Sequence, residues 1–317
     1  VKIKIWGCRG SVAAPLERSG YREKLNRIFR RLTPEDVADH QSKKNFLNSL
    51  PFDLRDTFGG NTSCVEVRGE DGTFLVLDTG TGVRPLGLSL MEEFGPKQAK
   101  TYHVIYSHTH WDHICGLMFF IPIFLPTNEL IFYSKYDNLQ ERLDIQQMPY
   151  FFPINVDYMA STKKYVQIGP DTPLDLGGLH IESLELNHPG NSLGFRITEN
   201  GKTFVYCTDT EYDYSGRTDS HKYEAFLHEA DMVFFDTQYV IKQIHDRLNW
   251  GHSTGMTAVD LCLNANVKSL IMFHHEPTNT DHDLFDNCVN LVKYKHIKDA
   301  SSRLNIQPGF EGQTFTL

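Results

Sequence analysis

The sequence predicts an α/β protein folded as one domain over its 317 residues. Three observations lead there. Short apolar or period-two runs recur from Lys2 to Phe273, helical patterns fall between them, and one strand after another ends in a histidine or an aspartate. The length exceeds that of an average domain, but large α/β folds reach it undivided, so the expectation is a single domain, 1–317, carrying a helical insertion at 17–57.

Composition narrows the class. Apolar residues make up 40% of the chain and charged residues 22%, the balance of a globular protein with a sizeable core and not of a disordered one. The formal charge of −9 excludes a broadly electropositive surface, so extended nucleic-acid binding would need a local basic patch. Cys8, Cys64, Cys115, Cys207, Cys262 and Cys288 are scattered with no C-x-x-C pair, which reads as buried free thiols in a reducing cytosol. The first residues alternate as a strand does and lack the basic and apolar regions of a leader. The longest apolar segment, 114–125, is interrupted by Gly116 and Pro122 and falls short of the roughly twenty residues of a membrane span. The expectation is a soluble, cytoplasmic protein with no membrane partner.

The elements follow in order. Lys2–Trp6 alternates with period two and leads into a turn at Gly7–Ser11. From Glu17 to Leu50 the period becomes helical: Tyr21, Leu25, Ile28, Phe29 and Leu32 share a face, and Thr33-Pro34-Glu35-Asp36 reads as a cap with proline at the first helical position. The first of these helices is basic, with Arg18, Arg22, Lys24, Arg27, Arg30 and Arg31 against Glu17 and Glu23. A solvated face is the first reading of such a run, with recruitment of a polyanion, a lid or a dimer contact as the other roles. After the Gly59–Ser63 turn cluster, Cys64–Val67 and Phe74–Asp78 form a hairpin around Glu70-Asp71-Gly72, followed by the small-residue loop Asp78–Gly82.

Tyr102–Tyr106 is a strand that runs directly into Ser107-His108-Thr109-His110-Trp111-Asp112-His113. Neutral imidazoles suit borderline metals, and a carboxylate among them can serve a second ion. The proline- and aromatic-rich stretches Leu117–Pro126 and Met148–Pro153 read as ordered loops. Strands resume at Tyr165–Ile168 and at His180–Leu184, with His180 structural, and the latter feeds His188 just past its end. The hairpin Leu193–Ile197 and Thr203–Cys207, around Asn200-Gly201, delivers Asp209. A helix near His221–Glu229 precedes the strand Met232–Asp236. Trp250-Gly251-His252-Ser253-Thr254 opens a further helix, with Ser253 or Thr254 as its cap. The strand Ser269–Phe273 ends in His274-His275, and a helix from Asp281 to Lys298 closes the domain.

His108-x-His110-x-Asp112-His113 resembles the metal motif of the metallo-β-lactamase fold hydrolases. The resemblance extends through Trp6–Ser11, Gly59–Cys64, Asp78–Gly82, Cys207–Thr210, Gly251–Thr254 and Phe273–Pro277, and the 17–50 segment lies outside it. It implies a four-layer αββα sandwich of two mixed sheets with outer helices. Seven donors exceed one tetrahedral zinc and match two adjacent metals sharing a carboxylate. The family pattern places His108, His110 and His188 on one ion and Asp112, His113 and His274 on the other, with Asp209 bridging. Zinc is the first choice of divalent metal, with manganese or iron as alternatives. His274, not His275, matches the motif. The Asp-x-Gly loop of the family makes Asp78 the residue that orients a ligand histidine.

An oxygen ligand at Asp209, where the lactamases proper use cysteine, is similar to hydrolases of phosphodiesters; Cys207 lies on the strand and does not fit that place. The loop around His252 resembles that of tRNA 3′-processing endonucleases and phosphonate-pathway cyclic phosphodiesterases, and the chain as a whole resembles that branch together with class II-like cyclic nucleotide phosphodiesterases. The resemblance implies in-line attack at phosphorus by a hydroxide shared by two ions. Asp112 would hold or deprotonate the water, and His252 would bind a phosphate oxygen or protonate the departing alkoxide. The expected substrate is a small phosphodiester of the cyclic-nucleotide kind, because the chain is acidic and has no long Gly/Pro-rich arm for gripping tRNA. The alternative is a tRNA 3′-processing or other nuclease, with RNA as partner, which the basic helix keeps open. The Gly-His-Ser-Thr loop argues against a thioester hydrolase, His110 against a flavin-partnered di-iron oxidoreductase, and the full ligand set against an inactive nucleotide sensor. Dimers are common in the family that the chain resembles, although the sequence itself does not give the oligomeric state.

Overall fold

The computed structural model describes residues 1–212, 220–244 and 246–317. Among the described residues, fourteen strands form two mixed sheets. The first contains β1 (Lys2–Gly7), β2 (Cys64–Arg68), β3 (Phe74–Leu77), β4 (Thr101–Ile105), β5 (Glu129–Ser134), β6 (Thr162–Gln167) and, from the far end of the chain, β14 (Thr314–Thr316), in the order β14-β1-β2-β3-β4-β5-β6. The second contains β7 (Leu174–Leu176), β8 (Leu179–Glu185), β9 (Leu193–Glu199), β10 (Lys202–Cys207), β11 (Met232–Asp236), β12 (Ser269–Phe273) and β13 (Asn305–Pro308), in the order β13-β12-β11-β10-β9-β8-β7. Each sheet is antiparallel in one half and parallel in the other: β3 to β6 run parallel in the first, and β10 to β13 in the second.

The helices are α1 (Arg18–Phe29), α2 (His40–Ser49), α3 (Phe52–Arg55), α4 (Val83–Phe94), α5 (Trp111–Ile114), α6 (Leu139–Gln146), α7 (Ser220–Leu227), α8 (Ile241–Ile244), α9 (Gly255–Asn264) and α10 (Asp281–Lys298). Strand alternation explains the layering. Ile3, Ile5, Val65, Val67, Leu75 and Leu77 of the first sheet meet Ile181, Phe195, Ile197, Phe204, Phe234 and Phe273 of the second in one buried layer. Each such residue contributes roughly 1.5–3 kcal/mol by leaving water. The outward faces are covered in turn: Val76, Val104 and Phe132 by Leu86 and Leu90 of α4, and Val205, Val233 and Phe235 by Ala258, Leu261 and Leu291 of α9 and α10. The product is the four-layer αββα sandwich.

Several elements differ from the sequence reading. β5 and α4 were not anticipated. Glu129–Ser134 does not alternate, because a strand between parallel neighbours is covered on both faces. In α4, Pro85 and Gly87 disguise the helical period; Pro85 is tolerated in the first turn, whose N–H groups lack intrahelical partners. The chain does not close on α10, since β13 and β14 follow and pair on the edges beside β12 and β1. Leu117–Phe119 and Ile121–Phe124 are short 3-10 helices in place of irregular loops, with Pro122 in the first turn of the second. His180 is exposed on β8 and pairs with Asp175 at 2.7 Å.

The segment between β1 and β2 departs further. α1 has no buried residue, and Tyr21 and Phe29 of its expected inner face are exposed. Only Ile28 and Leu32 reach a small cluster formed by Phe46, Leu50 and Leu54. Thr33–Asp36 does not start the second helix. Pro34 precedes a single 3-10 turn, Glu35–Val37, and α2 is capped instead by Asp39, which accepts from the Ser42 amide.

Candidate metal centre

The parallel register brings the strand ends together. Leu77 pairs with Ile105 between β3 and β4, and Asp236 with Phe273 between β11 and β12, so Asp78, the 107–113 loop, Asp209, Asp236 and His274 emerge at one rim where the two sheets meet. This is the carboxyl edge of parallel strands, where open α/β sheets place their ligands. Asp78, Asp209 and His274 all have left-handed backbones, with φ of 59°, 53° and 56°. Such a conformation is unfavourable for a side chain other than glycine and clusters at functional sites.

All eight residues singled out from the sequence converge there. His108, His110 and His188 offer donor atoms within 4.8 Å of one another; Asp112, His113, Asp209 and His274 form a second such group, and His252 forms a third with His188 and Asp209. His188 Nε2 is 3.0 Å from His110 Nδ1 and 3.9 Å from Asp209 Oδ1. His274 Nε2 is 3.2 Å from both Asp112 Oδ2 and Asp209 Oδ1, and His113 Nε2 is 3.1 Å from Asp209 Oδ2. Asp209 therefore turns one oxygen toward each side of the His113 and His274 pair while facing the three-histidine group.

Three of the imidazoles are oriented from behind. His113 Nδ1 is 2.8 Å from Asp78 Oδ2, His188 Nδ1 is 2.9 Å from the Gly251 carbonyl, and His274 Nδ1 is 2.9 Å from Gln238 Oε1. Asp112 accepts the Ser11 amide at 2.7 Å. Asp209 accepts the Thr208 hydroxyl at 2.7 Å. His275 turns away to the Gly309 carbonyl. Thr254, not Ser253, caps α9; Ser253 instead donates to the Thr210 carbonyl.

The donors fit divalent ions. His108 Nε2 and His113 Nε2 are buried with no hydrogen bond among the described residues, and two buried carboxylates face them. Unpaired buried donors are costly unless something completes them. Burial pushes the His108, His110 and His188 imidazoles below their ordinary range, further for His108 beside His113, so these three are neutral and ready to donate a lone pair. For His113 burial acts the same way, but Asp209, Asp112 and Asp78 outweigh it and hold its proton well above the usual range. Burial raises Asp112 and Asp209, but His113, with His274 beside it, more than reverses this and holds both well below the ordinary carboxylate range, so both are ionised.

Sequence reasoning left four supporting residues without a role: Ser11, Asp236, Gln238 and Glu211. Asp236 was within reach of the rule that strands here end in functional groups. Its Oδ2 is 2.7 Å from His252 Nδ1. Burial lowers the His252 imidazole, but the charge and hydrogen bond of Asp236 prevail and raise it to about 9. No local signal marks the other three, whose partners are distant in sequence.

Residues 73–275 match the model of the beta-lactamase superfamily domain. The chain is 26% identical over 204 residues to the "Probable metallo-hydrolase YhfI" of Bacillus subtilis (strain 168), spanning 63% of this chain and 74% of that one. It is 39% identical over 79 residues to the "Ribonuclease Z" of Synechocystis sp. (strain ATCC 27184 / PCC 6803 / Kazusa), a match that spans 25% of this chain and only 22% of that protein. Among solved structures, YhfI from Bacillus subtilis superposes with a TM-score of 0.63 at 18% identity, covering 99% of this chain and 98% of that one. Unliganded yeast PDE1 gives 0.62 at 14%, covering 100% and 99%. The chain belongs to the beta-lactamase superfamily and has the metallo-β-lactamase fold.

Proposed function

We propose that the chain is a two-metal phosphodiesterase whose substrate is a small phosphodiester of the cyclic-nucleotide kind. The observation that carries this reading is Asp209, an oxygen donor facing both ligand groups, with the His252–Asp236 pair beside it. His108, His110 and His188 would hold one ion and Asp112, His113 and His274 the other, with Asp209 between them and zinc as the first choice. Such ions supply Lewis acidity, bringing the pKa of water to about 7 and neutralising phosphate charge. Asp112, ionised and fixed by the Ser11 amide, is suited to accept a hydrogen bond from the attacking water and so to orient it. His252 keeps its Nδ1 hydrogen bond to Asp236 and presents Nε2, from which it donates a proton to the departing oxygen.

One observation favours a second reading, cleavage of RNA. Lys24 and Arg27 of α1 turn inward to the buried carboxylates of Asp281 and Asp53, which leaves Arg18, Arg22, Arg30 and Arg31 without ion pairs among the described residues and beside the exposed Tyr21 and Phe29. Cations interleaved with aromatics suit a single strand. The local match to a ribonuclease supports the phosphodiester class in either case. The test is turnover of 2′,3′- and 3′,5′-cyclic nucleotides and of a tRNA precursor, with Asp209→Ala as the inert control. Turnover of a cyclic nucleotide supports the first reading. Cleavage of the precursor alone, with a salt slope reduced by Arg18→Glu and Arg22→Glu, replaces it with the second.

A further inference from the structure

Glu211 lies two residues past Asp209 and belongs to neither ligand group, yet it is only 6% exposed. Its Oε1 accepts the Asn249 amide and its Oε2 the Gly251 amide, each at 3.0 Å. Its own backbone is locked to Asn187, donating to the Asn187 carbonyl at 2.8 Å and accepting from Asn187 Nδ2 at 2.8 Å. The loop so held has a left-handed backbone at two residues, with φ of 68° at Asn249 and 86° at Gly251; glycine adopts it freely and asparagine does not. A left-handed asparagine persists only where its surroundings over-determine it. Gly251 is needed for space as well, since a Cβ there would lie 2.1 Å from His188 Nδ1.

The loop does one visible thing: it turns the Gly251 carbonyl onto His188 Nδ1. That bond places the proton of the neutral ring on Nδ1 and leaves Nε2 as the lone pair facing His110 and Asp209. The other ligand group has separate support from Asp78, Gln238 and the Ser11 amide, none of which touches Glu211. Asp209 is held by Thr208 and, through its backbone, by Ser192.

We propose that Glu211 is a positioning residue: its two-pronged hold on the Asn249 and Gly251 amides aims the Gly251 carbonyl at His188 and thereby sets the metal affinity of the His108–His110–His188 group without affecting the Asp112–His113–His274 group. This rests on the reading of the three histidines as a metal site. Partners that orient a ligand from behind typically account for 10–100-fold in affinity.

The test is a zinc titration against a chromophoric chelator on the wild type, on Glu211→Gln, and on Val233→Ala as a core variant of reduced stability remote from the site. Glutamine offers one acceptor oxygen for two amides, so one N–H would face an NH2 group. The expected result for Glu211→Gln is one zinc bound as in the wild type and the second about 10–100-fold more weakly. Val233→Ala should leave both unchanged. In the metal-free protein, ¹⁵N spectra should show His188 leaving its single Nδ1–H tautomer in Glu211→Gln while His113 and His274 stay as they are. Equal weakening of both sites, no weakening, or an unmoved His188 would overturn the proposal. A wild type that binds no zinc at the three histidines would end the metal reading itself, and the His188 spectrum would still decide whether the clamp exists.

Discussion

Asp78 Oδ2 stands 2.8 Å from His113 Nδ1, although Asp78 lies 29 residues before Ser107, the start of the metal loop, in sequence, at the end of the neighbouring strand. The carboxylate is fully buried and also accepts the Ser107 amide, the Ser107 hydroxyl and the Tyr206 hydroxyl. Asp78→Ala would leave these donors buried and unpaired, at a cost of about 3 kcal/mol or more. The expected outcome is a large fall in melting temperature, with metal bound by the surviving folded protein about 10–100-fold more weakly. Calorimetry with and without metal measures both.

His252 and Asp236 give a prediction about leaving groups. His252→Ala should lower kcat by about 10²–10⁴ on a substrate with a poor leaving group and far less on an aryl phosphodiester, whose oxygen departs without a proton. Equal losses on both would remove the acid role.

The same pair sets a pH dependence. Asp236 raises the His252 proton, and the acid works only while protonated, so activity should be present below the His252 pKa and be lost as pH rises through it. Asp236→Asn removes the negative charge, so the alkaline limb of kcat/KM should move to lower pH. A limb that stays in place would assign it to another group.

Metal uptake should release protons. His113 keeps its proton in the metal-free cluster because of Asp209, Asp112 and Asp78, and a ligand nitrogen has to lose it. Zinc titrations at neutral pH in buffers of differing ionisation enthalpy should therefore report net proton release, with affinity rising as pH rises. Uptake without release would place His113 outside the ligand set.

Gly10 tests the second ligand group by shape alone. A Cβ there would lie 2.5 Å from the His274 ring and 3.0 Å from Gln238 Oε1. Gly10→Ala should weaken zinc at the Asp112–His113–His274 group and leave the three-histidine group intact, which the chelator titration resolves.

The ligands were legible because strand ends leave local marks: an apolar run followed by His108, His188, Asp209 or His274 needs no knowledge of distant partners. The backing residues were less so. Gln238 and Glu211 act through partners such as His274 and Asn249, 36 and 38 residues away, and nothing local distinguishes them from surface polar residues. β5 and α4 escaped because burial on both faces and an early proline remove the periodicity on which such reading depends. The exposed face of α1 shows the opposite failure, a helical pattern of Tyr21 and Phe29 with no core behind it.

The most direct measurement is metal content and turnover of bis(p-nitrophenyl) phosphate on the same preparation, for the wild type and Asp209→Ala. Two divalent ions per chain are expected in an active wild type, and the mutant should lose metal and activity together. Two bound ions with no phosphodiester turnover, or an Asp209→Ala enzyme that remains active, would contradict this.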